Sequence, residues 1–195
     1  IFDEYREQMV LYGGLTGGSV YASDTWEFDG TSWALKAPSD PEGDGNPSAL
    51  HASGAVYHRE RNTVMMYGGY ASGTVFEKLW EWNGTSWNEV TALDPEDDSQ
   101  PSGRHNHSIV YDEARAALVL FGGENAQSAN LSDTWEFVLP PYVAISAGGE
   151  FTCAISTTAD LACWGSNNKS QVSGAPIGSF DEACDRRRPR MCGEE

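Results

Sequence analysis

Short apolar runs in this chain recur at a fixed step. Residues 2–28 read FDEYREQMVLYGGLTGGSVYASDTWEF, residues 57–82 read YHRERNTVMMYGGYASGTVFEKLWEW, and residues 111–137 read YDEARAALVLFGGENAQSANLSDTWEF. The step is 54 or 55 residues, kept by Gly13-Gly14, Gly68-Gly69 and Gly122-Gly123 and by Trp26, Trp80 and Trp135. Internal self-similarity of this length marks a repeat architecture, in which each unit buries its apolar face against the next.

Each unit reads as strands. Val10-Leu11-Tyr12, Met65-Met66-Tyr67 and Val119-Leu120-Phe121 are apolar runs stopped by two glycines, as for a buried strand that ends in a tight turn. The glycines suit a positive φ or a close backbone approach, where a Cβ would clash. After a variable stretch rich in Gly, Ser and Ala comes a second strand in which Trp and Phe alternate around Glu. Two copies then add Gly-Thr-Ser-Trp (30–33 and 84–87), a tight turn into a third strand carrying Trp33 and Trp87. Residues 49–57 (ALHASGAVY) and 103–111 (GRHNHSIVY) supply a further strand upstream. Four short antiparallel strands per unit, with aromatics and a glycine pair at set places, describe a propeller blade. The predicted class is therefore all-β, an open β-propeller.

These residues resemble the kelch family of β-propellers. The glycine doublet, the Trp-Glu-aromatic strand and the later Trp33 and Trp87 match its signature. Pro101-Ser102-Gly103-Arg104 with His107-Ser108 is similar to the Pro-x-x-Arg-x-x-His-Ser entry to its inner strand, and the spacings Asp3–Arg6 and Asp112–Arg115 resemble its bacterial variants, with His58 replacing the aspartate in the middle copy. The resemblance covers residues 1–138: a partial blade at 1–37, a complete one at 49–90 and a partial one at 103–138. Propellers close with about four to eight blades, so the chain is expected to be part of a longer protein or to complete a ring with a second copy.

Two acidic connectors, 38–47 (PSDPEGDGNP) and 94–101 (DPEDDSQP), join the blades. Pro140-Pro141 then stands where the third Gly-Thr-Ser-Trp belongs and marks a boundary, since proline removes ladder donors. Residues 143–174 resemble a single, degenerate repeat of the RCC1 family through Ala147-Gly148-Gly149, Thr152-Cys153-Ala154-Ile155, Cys163-Trp164-Gly165, Asn167 and Gln171, with Phe151, Ser170 and Ser173 departing from its pattern. One repeat does not carry over the nucleotide-exchange activity of that family. Residues 175–195 form a tail rich in Cys and Arg.

Charge narrows the partners. The 195 residues carry a net charge of −17, and a field of that sign repels nucleic acid and acidic membranes. No apolar run approaches the ~18 residues of a membrane span, so no membrane insertion is expected. The four cysteines read as disulfide candidates, with free thiols or a metal site as the alternatives. Cys153 and Cys163 flank two short strands around a turn and are placed for a cross-strand disulfide. Cys184 and Cys192 flank a basic loop containing Arg186, Arg187, Arg188 and Arg190. Four cysteines allow three connectivities, and disulfides imply an extracellular, cell-surface or periplasmic setting.

Candidate chemistry is sparse. His105 and His107 lie two apart on one strand face, and His51 occupies the place of His105 one blade earlier. They are candidate metal ligands or scaffold hydrogen-bonding groups. Asp40, Glu42 and Asp44 in one connector, and Asp94, Glu96, Asp97 and Asp98 in the other, are oxygen ligands of the kind calcium takes, or solvated charge. No nucleophile elbow, phosphate loop or His-Glu-x-x-His is present, so neither catalytic residues nor a cofactor is expected. The chain is expected to be a non-enzymatic binding or scaffold module of a secreted or surface protein, recognising a protein or glycan through its inter-strand loops. The variable segments 15–23, 70–77 and 124–132 are expected on one side of the arc and the acidic connectors on the other. A propeller enzyme and a purely structural spacer are the alternatives.

Overall fold

The computed structural model describes residues 1–40, 43–93 and 100–139, and the backbone of 142–147, 151–156 and 161–165. All regular structure among them is β. Residues 1–139 form one compact unit and the chain from Pro140 onward another. The first unit opens with β1 (Phe2–Asp3), β2 (Gln8–Thr16), β3 (Val20–Phe28) and β4 (Trp33–Lys36), which form an antiparallel sheet in that order. β5 (Gly54–His58), β6 (Thr63–Tyr67), β9 (Leu79–Trp82) and β10 (Trp87–Val90) form the second sheet, with a two-stranded ribbon, β7 (Tyr70–Ala71) and β8 (Thr74–Val75), inserted between β6 and β9. β11 (Ser108–Asp112), β12 (Ala117–Glu124) and β13 (Asn130–Phe137) form the third. The innermost strands β5 and β11 lie side by side, so these sheets are successive blades of an open β-propeller arc. Beyond Pro140, β14 (Tyr142–Ala147), β15 (Phe151–Ser156) and β16 (Leu161–Gly165) make a three-stranded antiparallel sheet, one strand more than a hairpin. No helix long and apolar enough to cross a membrane occurs among the described residues.

The alternation of each strand decides which neighbour it meets. In the middle blade Val64 and Met66 point toward blade one and pack with Val10 and Tyr12, whereas Met65 and Tyr67 point toward blade three and pack with Ile109, Leu118, Leu120 and Phe137. Every residue of β6 is buried, because a blade with neighbours on both sides has two core faces. Its run TVMMY is accordingly apolar without alternation, as expected of a strand covered on both faces.

Tryptophan side chains from blade two close the first junction. The Trp87 indole N–H donates to Thr25 Oγ1 at 2.9 Å, and the Trp82 indole donates to Glu27 Oε1 at 2.8 Å. Burial works against the Glu27 charge, but the bonds from Trp82, Lys36 and Arg6 outweigh it and hold the carboxyl below its ordinary range. Tyr12 meets the Trp87 ring edge-on, centroids 5.1 Å apart, an arrangement aromatic quadrupoles favour. Trp33 holds the same place in blade one, yet it is 48% exposed where Trp87 is 1% exposed.

That contrast sets a test. Trp87→Ala leaves a cavity between two blades and costs about 3–5 kcal/mol, and Trp87→Phe, which removes the indole N–H, costs about 1 kcal/mol. Trp33→Ala costs the isolated chain less than half of the Trp87→Ala loss. Thermal and urea unfolding of the three variants measure the difference.

Candidate binding face

The glycine pairs do more than end a strand. In blades one and three the hairpin runs on past them, with register shifts at Tyr12/Gly14 and at Phe121/Gly123. Gly13 and Gly122 have φ of +61° and +66°, so each pair is a bulge with its first glycine left-handed. Segments expected as loops are therefore partly strand. Leu15 and Thr16 pair with Tyr21 and Val20, and Glu124 pairs with Asn130. Tyr70–Val75 folds as the β7–β8 ribbon.

What the bulge receives is the chain arriving for the next blade. Gly14 N–H donates to Leu50 O at 2.8 Å, and Gly69 N–H donates to Arg104 O at 2.9 Å. A Cβ on Gly13 would lie 2.6 Å from that Leu50 carbonyl, and one on Gly68 would lie 2.3 Å from that of Arg104. The following residue then turns to its own blade. His51 and Tyr70 exchange two backbone bonds, of 3.0 and 2.9 Å, as do His105 and Glu124, of 3.1 and 2.9 Å. Residues 49–53 and 103–107, expected as part of the inner strands, thus spend their hydrogen bonds on the bulges. β5 and β11 start only after Ala52 and Asn106, both at positive φ (58° and 55°).

This geometry corrects the expected placement of the loops. The inner ends of both connectors lie at the same end of the blades as the variable hairpins, not on the opposite side. Antiparallel strands put the second turn and the exit of the fourth strand at one end. Tyr12 Oη donates to the Pro47 carbonyl, Tyr67 Oη donates to that of Pro101 at 2.6 Å, and burial pushes both phenols up. The first connector is also anchored further out. Asp40 accepts from Gly43 and Gly45 N–H at 2.9 and 3.2 Å, and Asp44 accepts from Glu89 N–H at 2.7 Å. Glu42, Asp94, Glu96, Asp97 and Asp98 lie outside the described residues, as do Cys184, Cys192 and the arginine tail.

Four rings from three blades cluster at this end, Tyr21 and Tyr70 also meeting edge-on at 6.4 Å. Tyr21 of β3 lies 5.5 Å from the His51 ring, His51 lies 5.7 Å from Tyr70, and Tyr70 lies 5.1 Å from His105. All four residues are half-buried, and the His105 Nδ1 is itself buried. The histidines do not converge, because Tyr70 stands between His51 and His105, while His107 packs edge-on to Tyr67 at 5.6 Å. Among the described residues no three His, Cys, Asp or Glu side chains gather as a metal site. Beside the cluster, Asn106, His107, Ser108, Phe121, Glu124 and Asn130 help line an open recess of about 530 Å³. The tyrosines of the cluster had no repeat signal to announce them. Leu15 and Glu124 occupy the place of Tyr70 in the other blades.

Arg104 locks the second junction. Its side chain is fully buried and bidentate on Asp133, at 2.7 and 2.9 Å, and it also donates to Gly122 O at 3.0 Å. The guanidinium holds the Asp133 carboxyl down to about 2. At the first junction Leu50 replaces Arg104 and Lys78 replaces Asp133, so both members of the pair change together. At the far end of each blade the second repeated charge pair recurs as Arg6–Glu27, Arg61–Glu81 and Arg115–Glu136. His58 does the work of Asp3 and Asp112 there, its Nδ1 accepting from Arg61 N–H at 3.4 Å.

Residues 142–171 match the regulator of chromosome condensation (RCC1) repeat model. The chain is 29% identical over 120 residues to multiple epidermal growth factor-like domains protein 8 of Rattus norvegicus, covering 60% of this chain and 4% of that protein. The Homo sapiens counterpart is also 29% identical, over 119 residues, again 60% of this chain and 4% of that one. The tRNA wybutosine-synthesizing protein 4 of Emericella nidulans is 29% identical over 138 residues, 67% of this chain and 12% of that protein. The chain thus spans a small part of these relatives. Among solved structures, that of YjhT aligns with a TM-score of 0.47 at 16% identity, covering 65% of this chain and 38% of that one. A cryo-EM structure of RAG in complex with one melted and one unmelted RSS aligns at 0.43 and 14% identity, covering 80% of this chain and 60% of that one.

Two experiments probe the face as built. Asp133→Ala strands the Arg104 charge and lowers stability by about 1–3 kcal/mol. The double change Arg104→Leu with Asp133→Lys, which copies the first junction, recovers most of that loss in denaturant titration. The second test is pH. Burial, first, and then the Arg104 charge lower His107 to about 4, and burial and then Arg61 lower His58 to about 4 against the opposing pull of Glu81. A histidine whose folded pKa is depressed binds its proton more weakly than in the unfolded chain. Its stabilising contribution is therefore full above the ordinary histidine range near 6.5 and is lost as pH falls toward 4. Melting temperature drops over that window, and the drop is shallower in His107→Leu.

Proposed function

We propose that this chain is a non-enzymatic, kelch-type binding or scaffold module of a secreted or cell-surface protein, which recognises a protein or glycan through the glycine end of its blades. The observation that carries this reading is the cluster Tyr21, His51, Tyr70 and His105, four half-buried aromatic residues with rings 5.1–6.4 Å apart across three blades on a backbone frame that repeats. Half-buried tyrosines present an apolar face and a polar tip and dominate recognition surfaces of both kinds. The charged groups beneath, Arg104 and Asp133, are committed to each other, which leaves the rings and the recess polar groups to face a ligand. The variable hairpins that surround them differ between blades while the frame does not, the usual division between scaffold and recognition. The RCC1-type repeat beyond Pro140 and the relatives with epidermal growth factor-like domains fit an interaction module outside the cell.

The oxidising setting has its own structural support. The register of β15 with β16 puts Cys153 directly opposite Cys163. Opposed antiparallel residues have Cα separations of about 4.5–5.5 Å, within the span of a disulfide. Alkylation followed by intact-mass measurement is expected to find these two thiols protected until reductant is added. Thiols that react freely in protein secreted by cells would sink the extracellular reading.

Ligand recognition is checked by screening the chain against glycan arrays and a displayed library of extracellular protein domains. Tyr70→Ala is expected to weaken any captured ligand by about tenfold or more, on the order of 1.4 kcal/mol, while Arg115→Ala at the opposite end leaves it unchanged. A ligand indifferent to both Tyr21→Ala and Tyr70→Ala would move the binding face elsewhere.

A further inference from the structure

The charges of this chain divide unevenly between the two ends of its blades. Every lysine and arginine among the described residues is already paired with a carboxylate. Arg6, Arg59, Arg61 and Arg115 make their pairs at the end away from the glycine pairs. At the glycine end Arg104 is buried on Asp133, and Lys78 is held by Glu89 with its ammonium 5.5 Å from the centre of the Trp80 ring. The segments that vary between blades carry charge of one sign. The hairpins 15–23, 70–77 and 124–132 and the connectors 38–47 and 94–101 together hold nine aspartates and glutamates and neither lysine nor arginine. Two of the nine are placed beside the aromatic cluster by backbone bonds. Glu124 exchanges such bonds with His105. Exposed Glu77 follows Phe76, whose N–H donates at 2.9 Å to the carbonyl of Gly69, the residue before Tyr70.

A ligand at this end therefore meets aromatic residues and carboxylates. An anion is repelled at long range by the net charge of −17 and finds no unpaired cation among the described residues. A neutral sugar draws nothing from that field. A cation is steered in by it, gains from the negative ring face that a tyrosine offers to a positive group, and is balanced by the carboxylates. We propose, on the reading that the glycine end is the binding face, that its partner is a protein that presents a basic segment. Lysine or arginine side chains of that segment meet Tyr21 and Tyr70, and Glu77 and Glu124 supply the opposing charge. Charges near water are screened, so affinity falls as salt rises.

The probes are fluorescein-labelled peptides of alternating lysine and glycine, of arginine and glycine, and of glutamate and glycine, followed by fluorescence anisotropy at physiological ionic strength. The two basic peptides are expected to bind and the acidic one is not. Tyr70→Ala weakens the basic peptides by about tenfold, with Tyr21→Ala as a second aromatic variant. Glu77→Gln and Glu124→Gln each weaken them by about two- to fivefold. Glu7→Gln removes the same charge from an exposed position at the opposite end and leaves affinity unchanged. Melting temperature establishes that each variant is folded. Basic peptides that fail to bind overturn the proposal, and so does binding that survives both tyrosine variants. A loss in Glu7→Gln equal to that in Glu77→Gln and Glu124→Gln also overturns it, since the peptides then sense only overall charge. A Tyr70-dependent ligand from the arrays that is neutral or acidic, and that basic peptides do not displace, overturns the basic partner alone and leaves the binding face standing. Silence from the arrays, the displayed domains and the basic peptides together removes both.

Discussion

The carbonyl of the residue that opens each new blade occupies the space in which a Cβ of the preceding glycine pair would stand. At Gly13 the distance to the Leu50 oxygen would be 2.6 Å and at Gly68 the distance to the Arg104 oxygen would be 2.3 Å, both inside any tolerable contact. Much else in the arc follows from that approach. It lets the second glycine of each pair donate to the same carbonyl, which sets the height at which the connector arrives. That height places His51 and His105 against Tyr70 and Glu124, and so determines which side chains meet at the glycine end. It also forces the turn at Ala52 and Asn106 through positive φ before the inner strand can begin. An L-residue at either first glycine would face strain and collision together, and the blades would have to part.

Apolar packing is generous about partners, so the junctions need a second source of definition. Here it is a few directed polar contacts set into apolar surroundings. Trp87 and Trp82 each bury a large ring and spend an N–H on a group of the preceding blade. Arg104 reaches forward from the connector to Asp133, and its carbonyl reaches back to Gly69. A buried ion pair is a weak source of net stability, since desolvation offsets most of its attraction. Its cost appears when one member is left alone. The joint replacement of Arg104 and Asp133 by Leu50 and Lys78 at the other junction is what that asymmetry requires. Each junction is consistent within itself, and neither contains half of the other's pair.

The frame was legible in the sequence because it repeats. Three copies of a glycine pair and a Trp-Glu strand locate the blades, and the alternation of Val10, Val64 and Met66 against Met65 and Tyr67 belongs to strands covered on one face or two. The Pro140-Pro141 boundary was legible where that repeat breaks off, and the single RCC1-like repeat expected at 143–174 from its own motif residues is matched at 142–171. The face was not. Tyr21 and Tyr70 fall in the segments where the copies differ, so no comparison between copies marks them. Their meeting depends on backbone bonds between chain segments that sequence periodicity does not connect. The expected separation of hairpins from connectors failed on topology alone, since in a four-stranded antiparallel blade the second turn and the outgoing connector must share an end. The glycine pairs were misread in part for a local reason: a left-handed glycine serves a bulge as well as a turn, and cross-strand pairing decides which.

The two ends of the blades therefore have different constraints. At the charged end Arg6, Arg61 and Arg115 each fold back on a glutamate of the same blade, and the turn is held by an acceptor at Asp3, His58 or Asp112. The bonds that cross between blades there also run through side chains: Arg59 reaches Glu4 at 2.8 Å and Glu113 at 3.3 Å, and Tyr5 N–H donates to Tyr57 Oη at 3.1 Å. At the glycine end the backbone carries the bonds, between blades at Gly14–Leu50 and Gly69–Arg104 and within a blade at His51–Tyr70 and His105–Glu124, which places no demand on side-chain identity at Tyr21, His51, Tyr70, His105 or Glu124. Those positions are free to vary because the carbonyls and amides beneath them are already satisfied. A surface whose geometry is set by main chain and whose chemistry is left to side chains can change its ligand without losing its fold. That is the physical ground for placing recognition at this end of the arc.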